Sequence, residues 1–346
     1  MPRLTILGND PTAFVLRLAC TTNGLNSITQ ITADYSPSVP ATILPANISK
    51  IITALIPEQE LKELSTLPDR KHIRLAKSGY VISEIPLGNF YLDRYGANLY
   101  NINESDLIEL LNNHTLPSPI DTTAQHKSST DLLAVTSNTS NQSTQTDQFY
   151  TYYAEIPHDK KSSLINTTWI SEKQVAHQFN TNKSCHVVFL SPSNLALNPS
   201  DWHPTVREAA ESAKIRRSPS QRPNTKNQAS KESSVAELGA AWYPSSWLLP
   251  ESVHVGIEDA WVLSRMLENY EDDIDSALSY YVKYRKIRLA RLRRQTDQEF
   301  TRRFDTKGIK KLGQHISLAF STRFIPEIYM NGQDWFHGYD CLRGFR

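Results

Sequence analysis

Paired thiols are missing from this chain. Its three cysteines, Cys20, Cys185 and Cys341, are far apart, with no Cys-x-x-Cys pair, which argues against a disulfide framework or a cysteine-based zinc site. The ten histidines include no pair at i,i+3 or i,i+4, so no helix offers a two-histidine metal face and no metal is expected. Charge of one sign is lacking too. Thirty-seven Lys and Arg stand against 36 Asp and Glu, a net charge of +1, which selects neither nucleic acid nor a membrane as partner. There is no apolar run long enough to span a bilayer, and Met1-Pro-Arg leads straight into Leu4-Thr-Ile-Leu7 without a signal-peptide core. A soluble cytoplasmic protein is the expectation. A Gly-x-Ser-x-Gly elbow and a Gly-x-x-x-x-Gly-Lys loop are also absent, which leaves acyl transfer and phosphate-loop chemistry unsupported.

What is present is enough apolar material for a large core: 346 residues at 39% hydrophobic, two domains or one large α/β domain with an insertion. Leu4–Leu7 reads as a buried strand, Gly8-Asn-Asp-Pro11 as a turn, Thr12–Cys20 as a helix and Ser27–Thr32 as a second strand. That order begins a parallel dinucleotide-binding sheet. Residues 115–148 are rich in Ser, Thr, Asn and Gln, interrupted by Asp131-Leu-Leu-Ala-Val135, which reads as one more strand. Tyr150–Trp169 and Cys185–Leu190 have strand character, and residues 214–234 read as a flexible linker. After residue 256 the chain is mostly helical, with Ile257, Ala260, Trp261, Ser264 and Leu267 on one apolar face. A second face takes Ala277, Leu278, Tyr281, Tyr284 and Ile287 or Arg288. No internal repeat is visible.

Five segments in order carry a resemblance. They are Ile43-Leu-Pro-Ala-Asn47 with Ile51–Leu55; Ser78–Gly88; Arg94-Tyr-Gly96 with Ile102–Leu107; Gly239–Leu267; and Asp334-Trp-Phe-His-Gly-Tyr-Asp340. Together they resemble the FAD-dependent aromatic-ring monooxygenases of the salicylate-hydroxylase and ubiquinone-hydroxylase group. The resemblance implies an α/β fold: a Rossmann-like FAD-binding domain from 1–148 and 235–285, a reduced β-rich substrate region at 149–213, and a helical C-terminal region at 286–346. It implies FAD as cofactor, NAD(P)H as reductant and a small aromatic substrate. It places cofactor-binding positions at Gly8, Asn9, Ala13, Asp34, Gly239, Ala240, Val253 and His254. No catalytic side chain is assigned, because in such enzymes the flavin carries the chemistry.

Each expected flavin contact departs from the family pattern. The Gly-x-Gly-x-x-Gly turn admits pyrophosphate because its second glycine has no side chain and the helix N-terminus favours anions; here Gly8, Asp10 and Ala13 hold the three positions. Glu104 stands where the Arg-x-Asp-Leu arginine belongs, and Ser137-Asn138 where an Asp-Gly belongs. Ala240 replaces the aspartate of the second motif, Tyr243 its histidine and Trp247 its proline, while Pro250–His254 replaces the glycine-rich flavin turn. Like charges a few ångströms apart cost roughly 1 to 4 kcal/mol each, and a lost charged hydrogen bond about 1.5 to 3 kcal/mol. The expectation is a divergent member with weakened or lost FAD binding and hydroxylase activity. The alternatives are an active flavoenzyme with a modified site, or a non-enzymatic subunit that binds a protein partner or a second copy of itself.

The basic run Tyr284–Arg294 reads as a solvated helix face balanced by the acidic Glu268–Asp275 stretch. Trp242, Trp247 and Trp261 read as core filling for the volume a missing flavin vacates. His254 and Tyr243, without a visible partner for acid–base work, read as structural.

Overall fold

The computed structural model describes residues 3–25, 28–31, 39–115, 131–136, 149–157, 164–192, 195–216, 235–243, 247–271, 273–305 and 326–344. In chain order the elements are β1 (Leu4–Leu7), α1 (Pro11–Thr22), β2 (Ile28–Ile31), β3 (Ala41–Leu44), α2 (Ala46–Leu55), α3 (Glu58–Leu64), β4 (Ser65–Thr66), β5 (Arg70–Leu75) and β6 (Val81–Pro86). Then come α4 (Gly88–Tyr95), β7 (Tyr100–Asn103), α5 (Glu104–Asn113), β8 (Leu132–Val135), β9 (Phe149–Ile156), β10 (Ile165–Ile170), β11 (Val175–Asn180), β12 (Cys185–Pro192) and α6 (Pro204–Ser212). The chain closes with β13 (Lys214–Arg216), β14 (Val235–Glu237), α7 (Gly256–Asn269), α8 (Ile274–Phe300), α9 (Pro326–Asn331) and α10 (Asp334–His337).

The fold is α/β with a helical C-terminal part. Four parallel strands lie in the order β14-β8-β1-β2, with Leu4 opposite Ile28 on one side and Leu132 on the other. Leu4, Ile6, Leu132 and Ala134 are buried, as a parallel sheet covered by helices on both faces requires. Helices α1, α2, α5 and α7 contribute Val15, Leu16, Ile48, Leu107, Ile257 and Leu263 to the same core. Because β14 joins the edge of β8, this layer is built from two distant parts of the chain.

A seven-stranded sheet in the order β13-β9-β12-β11-β10-β5-β6 forms the second layer, antiparallel throughout except for β10 against β5. The β5–β6 hairpin thus belongs to this sheet through pairs such as Ile165 with Arg70, although the boundary drawn at residue 148 puts it in the first domain. Strand pairing across about a hundred residues leaves no trace in local periodicity, so the hairpin's membership was not visible. Lys214–Arg216, drawn as the start of a linker, pairs with β9; residues 217–234 lie outside the described residues. A small third sheet, β3-β7-β4, packs against α5. Among the described residues no helix is long and apolar enough to cross a membrane, and no group of three or more His, Cys, Asp or Glu is placed to hold a metal ion.

The α8 face differs from its expected pattern. Ala277, Tyr281 and, of the two alternatives at the last position, Arg288 are buried as expected, but Tyr284 and Ile287 are exposed, and Arg285 also turns inward. The basic run is therefore only partly a solvated face. Arg285 donates from Nε to Asp259 Oδ1 at 2.5 Å, and its Nη2 lies 2.9 Å from Glu258 Oε2. Arg288 Nη2 donates to Glu258 Oε1 at 2.8 Å, and its Nη1 to the Trp335 carbonyl at 2.6 Å. Asn47 donates to Glu258 at 2.6 Å, and the Gly239 N–H to Asp259 at 2.9 Å. Burial opposes the Glu258 charge, yet Arg288 and Arg285 hold its carboxyl down at about 2. Burial pushes the Asp259 carboxyl up, against the pull of Arg285. Two carboxylates and two guanidiniums thereby tie α7, α8, α2, the 239 turn and the C-terminal segment together.

Removing one partner of a buried ion cluster leaves the other charges uncompensated, typically at a cost of about 3 to 5 kcal/mol. Arg285→Met is expected to lower unfolding free energy by that order in a denaturant titration. A loss below about 1 kcal/mol, the size of a surface pair, would contradict a structural role for the cluster.

Candidate cofactor site

The carboxyl ends of β1, β8 and β14 converge on the turn that begins α1, the place where an open parallel sheet receives its ligand. Gly8 leaves β1 there. A Cβ at this position would lie 1.9 Å from Thr136 Oγ1 and 3.3 Å from Thr136 Cβ, so the close crossing of β1 and β8 requires glycine. Asn9 is half-buried and Ala13 buried in the first turn of α1.

Asp10, at the second glycine position, is buried and is the N-cap of α1: its Oδ1 accepts from the Ala13 N–H at 3.0 Å. The carboxyl is raised from its usual range by burial, with the Thr136 hydroxyl and the Ala13 N–H pulling the other way. A helix N-terminus offers roughly half a positive charge and a few free N–H groups; here the chain's own carboxyl takes up part of that capacity. Glu104 repeats the arrangement as the first residue of α5, buried in the turn whose dipole favours an anion.

The second motif packs directly against this turn. Gly239 has φ +53°, a left-handed conformation suited to glycine. A Cβ on Gly256 would meet Thr12 Oγ1 at 2.5 Å and Gly239 Cα at 2.6 Å, so the start of α7 meets the 239 turn backbone to backbone and packs on the Thr12 side chain of α1. Gly8 thus lies against Ala13, and Gly239 against Gly256 and Thr12, around the start of α1. Ala240, in the short 3-10 turn Gly239–Ala241, presents only a methyl group. Tyr243 is buried, with its hydroxyl 3.1 Å from Thr296 Oγ1 of α8.

At the far end, Trp247 is buried and stacks on Phe179 of β11, centroids 6.0 Å apart and planes 14° apart. Residues Pro250–Ser252 form a 3-10 turn, and from it Glu251 forms an ion pair with Lys71 of β5. Burial opposes the charge on Glu251, but Lys71 holds its carboxyl at about 2. Val253 is half-buried, packed against the Phe179–Trp247 cluster. His254 is buried, its imidazole pushed by burial down to about 4, and its Nε2 has no hydrogen-bond partner. Asp34 and Ser137-Asn138 lie outside the described residues.

Sequence reasoning missed a group of polar residues beyond this turn. Lys71, His177, Glu251, Glu299, Arg302, Arg303 and His337 line a cavity of about 70 Å³. They come from β5, β11, the 250 turn, the end of α8 and α10, and no local pattern links them.

No family model matches the chain, and no curated protein sequence matches it. Solved structures do. A variant of HpxO from Klebsiella pneumoniae complexed with FAD superposes with a TM-score of 0.77 at 15% identity, over 99% of this chain and 100% of that one. Salicylate hydroxylase in a substrate complex gives 0.70 at 14% identity, over 98% and 96%. PqsL of Pseudomonas aeruginosa gives 0.68 at 12% identity, over 93% and 100%. The chain therefore has the fold of the FAD-dependent monooxygenases over nearly its whole length.

Because burial raises the Asp10 carboxyl above its ordinary 3.8, the folded state holds that proton more tightly than the unfolded state. Stability associated with the protonated form is present below the ordinary value and lost as pH rises through the folded one. Asp10→Asn keeps an equally good N-cap without the ionisation. The stability of Asp10→Asn relative to the parent, followed by thermal melts, is expected to rise as pH increases above about 4. A gap that shrinks with rising pH would show instead that the ionised carboxylate is favoured in the fold.

Proposed function

We propose that this chain is a divergent protein of the FAD monooxygenase fold whose tight FAD binding, and with it aromatic hydroxylation, has been weakened or lost. The observation that carries this is Asp10. In the HpxO and salicylate-hydroxylase type of fold the start of α1 is where a dinucleotide pyrophosphate would meet N–H groups. Here a buried carboxyl accepts from one of those groups at 3.0 Å. The residues present do not fit FAD in the family's usual pose.

Further positions support the same reading. Glu104 adds a second buried carboxyl at a helix start. Ala240 has no atom with which to hydrogen-bond a ribityl or phosphate group. Trp247 and the Lys71–Glu251 pair fill space beside the turn that would pack on an isoalloxazine ring. Each tenfold in affinity corresponds to about 1.4 kcal/mol, so two unfavourable charges and two missing contacts can abolish a micromolar site. A scaffold so altered retains its core and suits a binding role better than turnover. The exposed Tyr280, Tyr284 and Ile287 along α8 give it a surface for a protein partner or a second copy.

FAD that binds the native state raises the melting temperature progressively as its concentration exceeds Kd. The parent is expected to show no FAD-dependent shift, whereas Asp10→Gly combined with Ala240→Asp is expected to gain one. A saturable shift in the parent would contradict the proposal, and a folded double variant with no gain would show that these two positions do not control the site.

A further inference from the structure

The cavity beyond the 250 turn is more than leftover space. Its polar wall holds three cations, Lys71, Arg302 and Arg303, but only two carboxylates, Glu251 and Glu299. Lys71 pairs with Glu251, while Arg302 and Arg303 share Glu299, the Arg302 contact being 2.5 Å. Arg303 is bound to Glu299 through its Nε, which leaves its buried Nη1 with no hydrogen-bond partner. His177, 4% exposed on β11, has Nδ1 within 3.2 Å of Thr168 Oγ1 and no partner for Nε2.

These two orphaned groups belong together. Burial, then the charges of Arg303 and Lys71, push the His177 imidazole down to about 3, so Arg303 acts on a ring that stays neutral. When Thr168 donates its hydroxyl proton to Nδ1, Nε2 carries the ring proton and becomes a second donor. His337 is fixed similarly: Tyr91 accepts from the Ala46 N–H at 3.0 Å, so its own proton goes to His337 Nδ1, 2.8 Å away. The opposite wall is apolar, with Ile73, Ile85, Leu87, Leu99 and Leu248.

We propose that this cavity binds a small aliphatic monocarboxylate, with the carboxylate between Arg303 Nη1 and His177 Nε2 and the alkyl end against Ile73, Leu99 and Leu248. An unpaired guanidinium N–H in a buried setting favours a carboxylate oxygen. A cavity of about 70 Å³, at roughly 10 to 15 Å³ per water-sized site, admits about five non-hydrogen atoms. That is the size of acetate to butyrate. The two proposed contacts, Arg303 and His177, are not among the positions argued to govern FAD, whereas Lys71 and Glu251 of the same wall are.

The test is a thermal-shift titration of the full chain with sodium acetate, sodium butyrate, acetamide and sodium chloride at matched ionic strength. Acetate and butyrate are expected to give a saturable rise, and acetamide and chloride none. Arg303→Lys keeps the charge beside Glu299 but removes the Nη1 donor, and is expected to weaken the acid about tenfold or more; His177→Phe provides an independent second variant with the same expectation. No saturable rise with either acid, an equal rise with chloride, or unchanged affinity in both variants would overturn the proposal. A response to FAD in the same assay bears only on the cofactor reading.

Discussion

The rest of the structure depends on one buried charge cluster, Glu258 and Asp259 of α7 against Arg285 and Arg288 of α8. Four ionised groups removed from water are tolerable only when every charge is matched and hydrogen-bonded. Here the matching partners come from five parts of the chain. Asp259 accepts from the Gly239 N–H, Glu258 from Asn47, and Arg288 donates to the carbonyls of Trp335 and Phe336. The cluster therefore fixes where the 239 turn meets α1, where α2 lies and where the C-terminal segment returns. None of these bonds needs a cofactor, so the cleft around them can change while the fold persists.

On the proposed reading, the cleft departs from an FAD site in a consistent direction. Helix starts that would receive phosphate now carry the buried carboxyls Asp10 and Glu104. The turn that would pack on a flavin carries Glu251, neutralised by Lys71, and Trp247 stacks on Phe179. A protein that buries polar groups in a vacated site must satisfy them from within. Asp10 does so with the Ala13 N–H and Glu251 with a lysine from the neighbouring sheet. Two of the buried polar atoms without a hydrogen-bond partner, Arg303 Nη1 and His177 Nε2, line one cavity.

Much of the fold was legible in the sequence, for local reasons. The β1–α1–β2 order and the apolar face of Ile257, Ala260, Ser264 and Leu267 follow from periodicity, and the 239–267 motif identified the scaffold that the superpositions show. Meeting points such as Gly8, Ala13 and Gly239 were legible because glycine or a small residue there answers a steric demand. What was not legible is non-local. The inward turn of Arg285 breaks the rule that charged residues face water, and it is explained only by carboxylates on another helix. The β5–β6 hairpin joins strands about a hundred residues away, and the Lys71–Glu251 pair spans 180 positions. Asp10 could be read as an obstacle, but its role as helix cap required the geometry.

The central claim is that the chain's own side chains occupy the contacts FAD would use. The most direct measurement is the flavin content of the full-length protein purified without added cofactor, read from its visible spectrum and from flavin released on denaturation. The account predicts a colourless protein that releases no flavin. A yellow protein with one flavin per chain would contradict it.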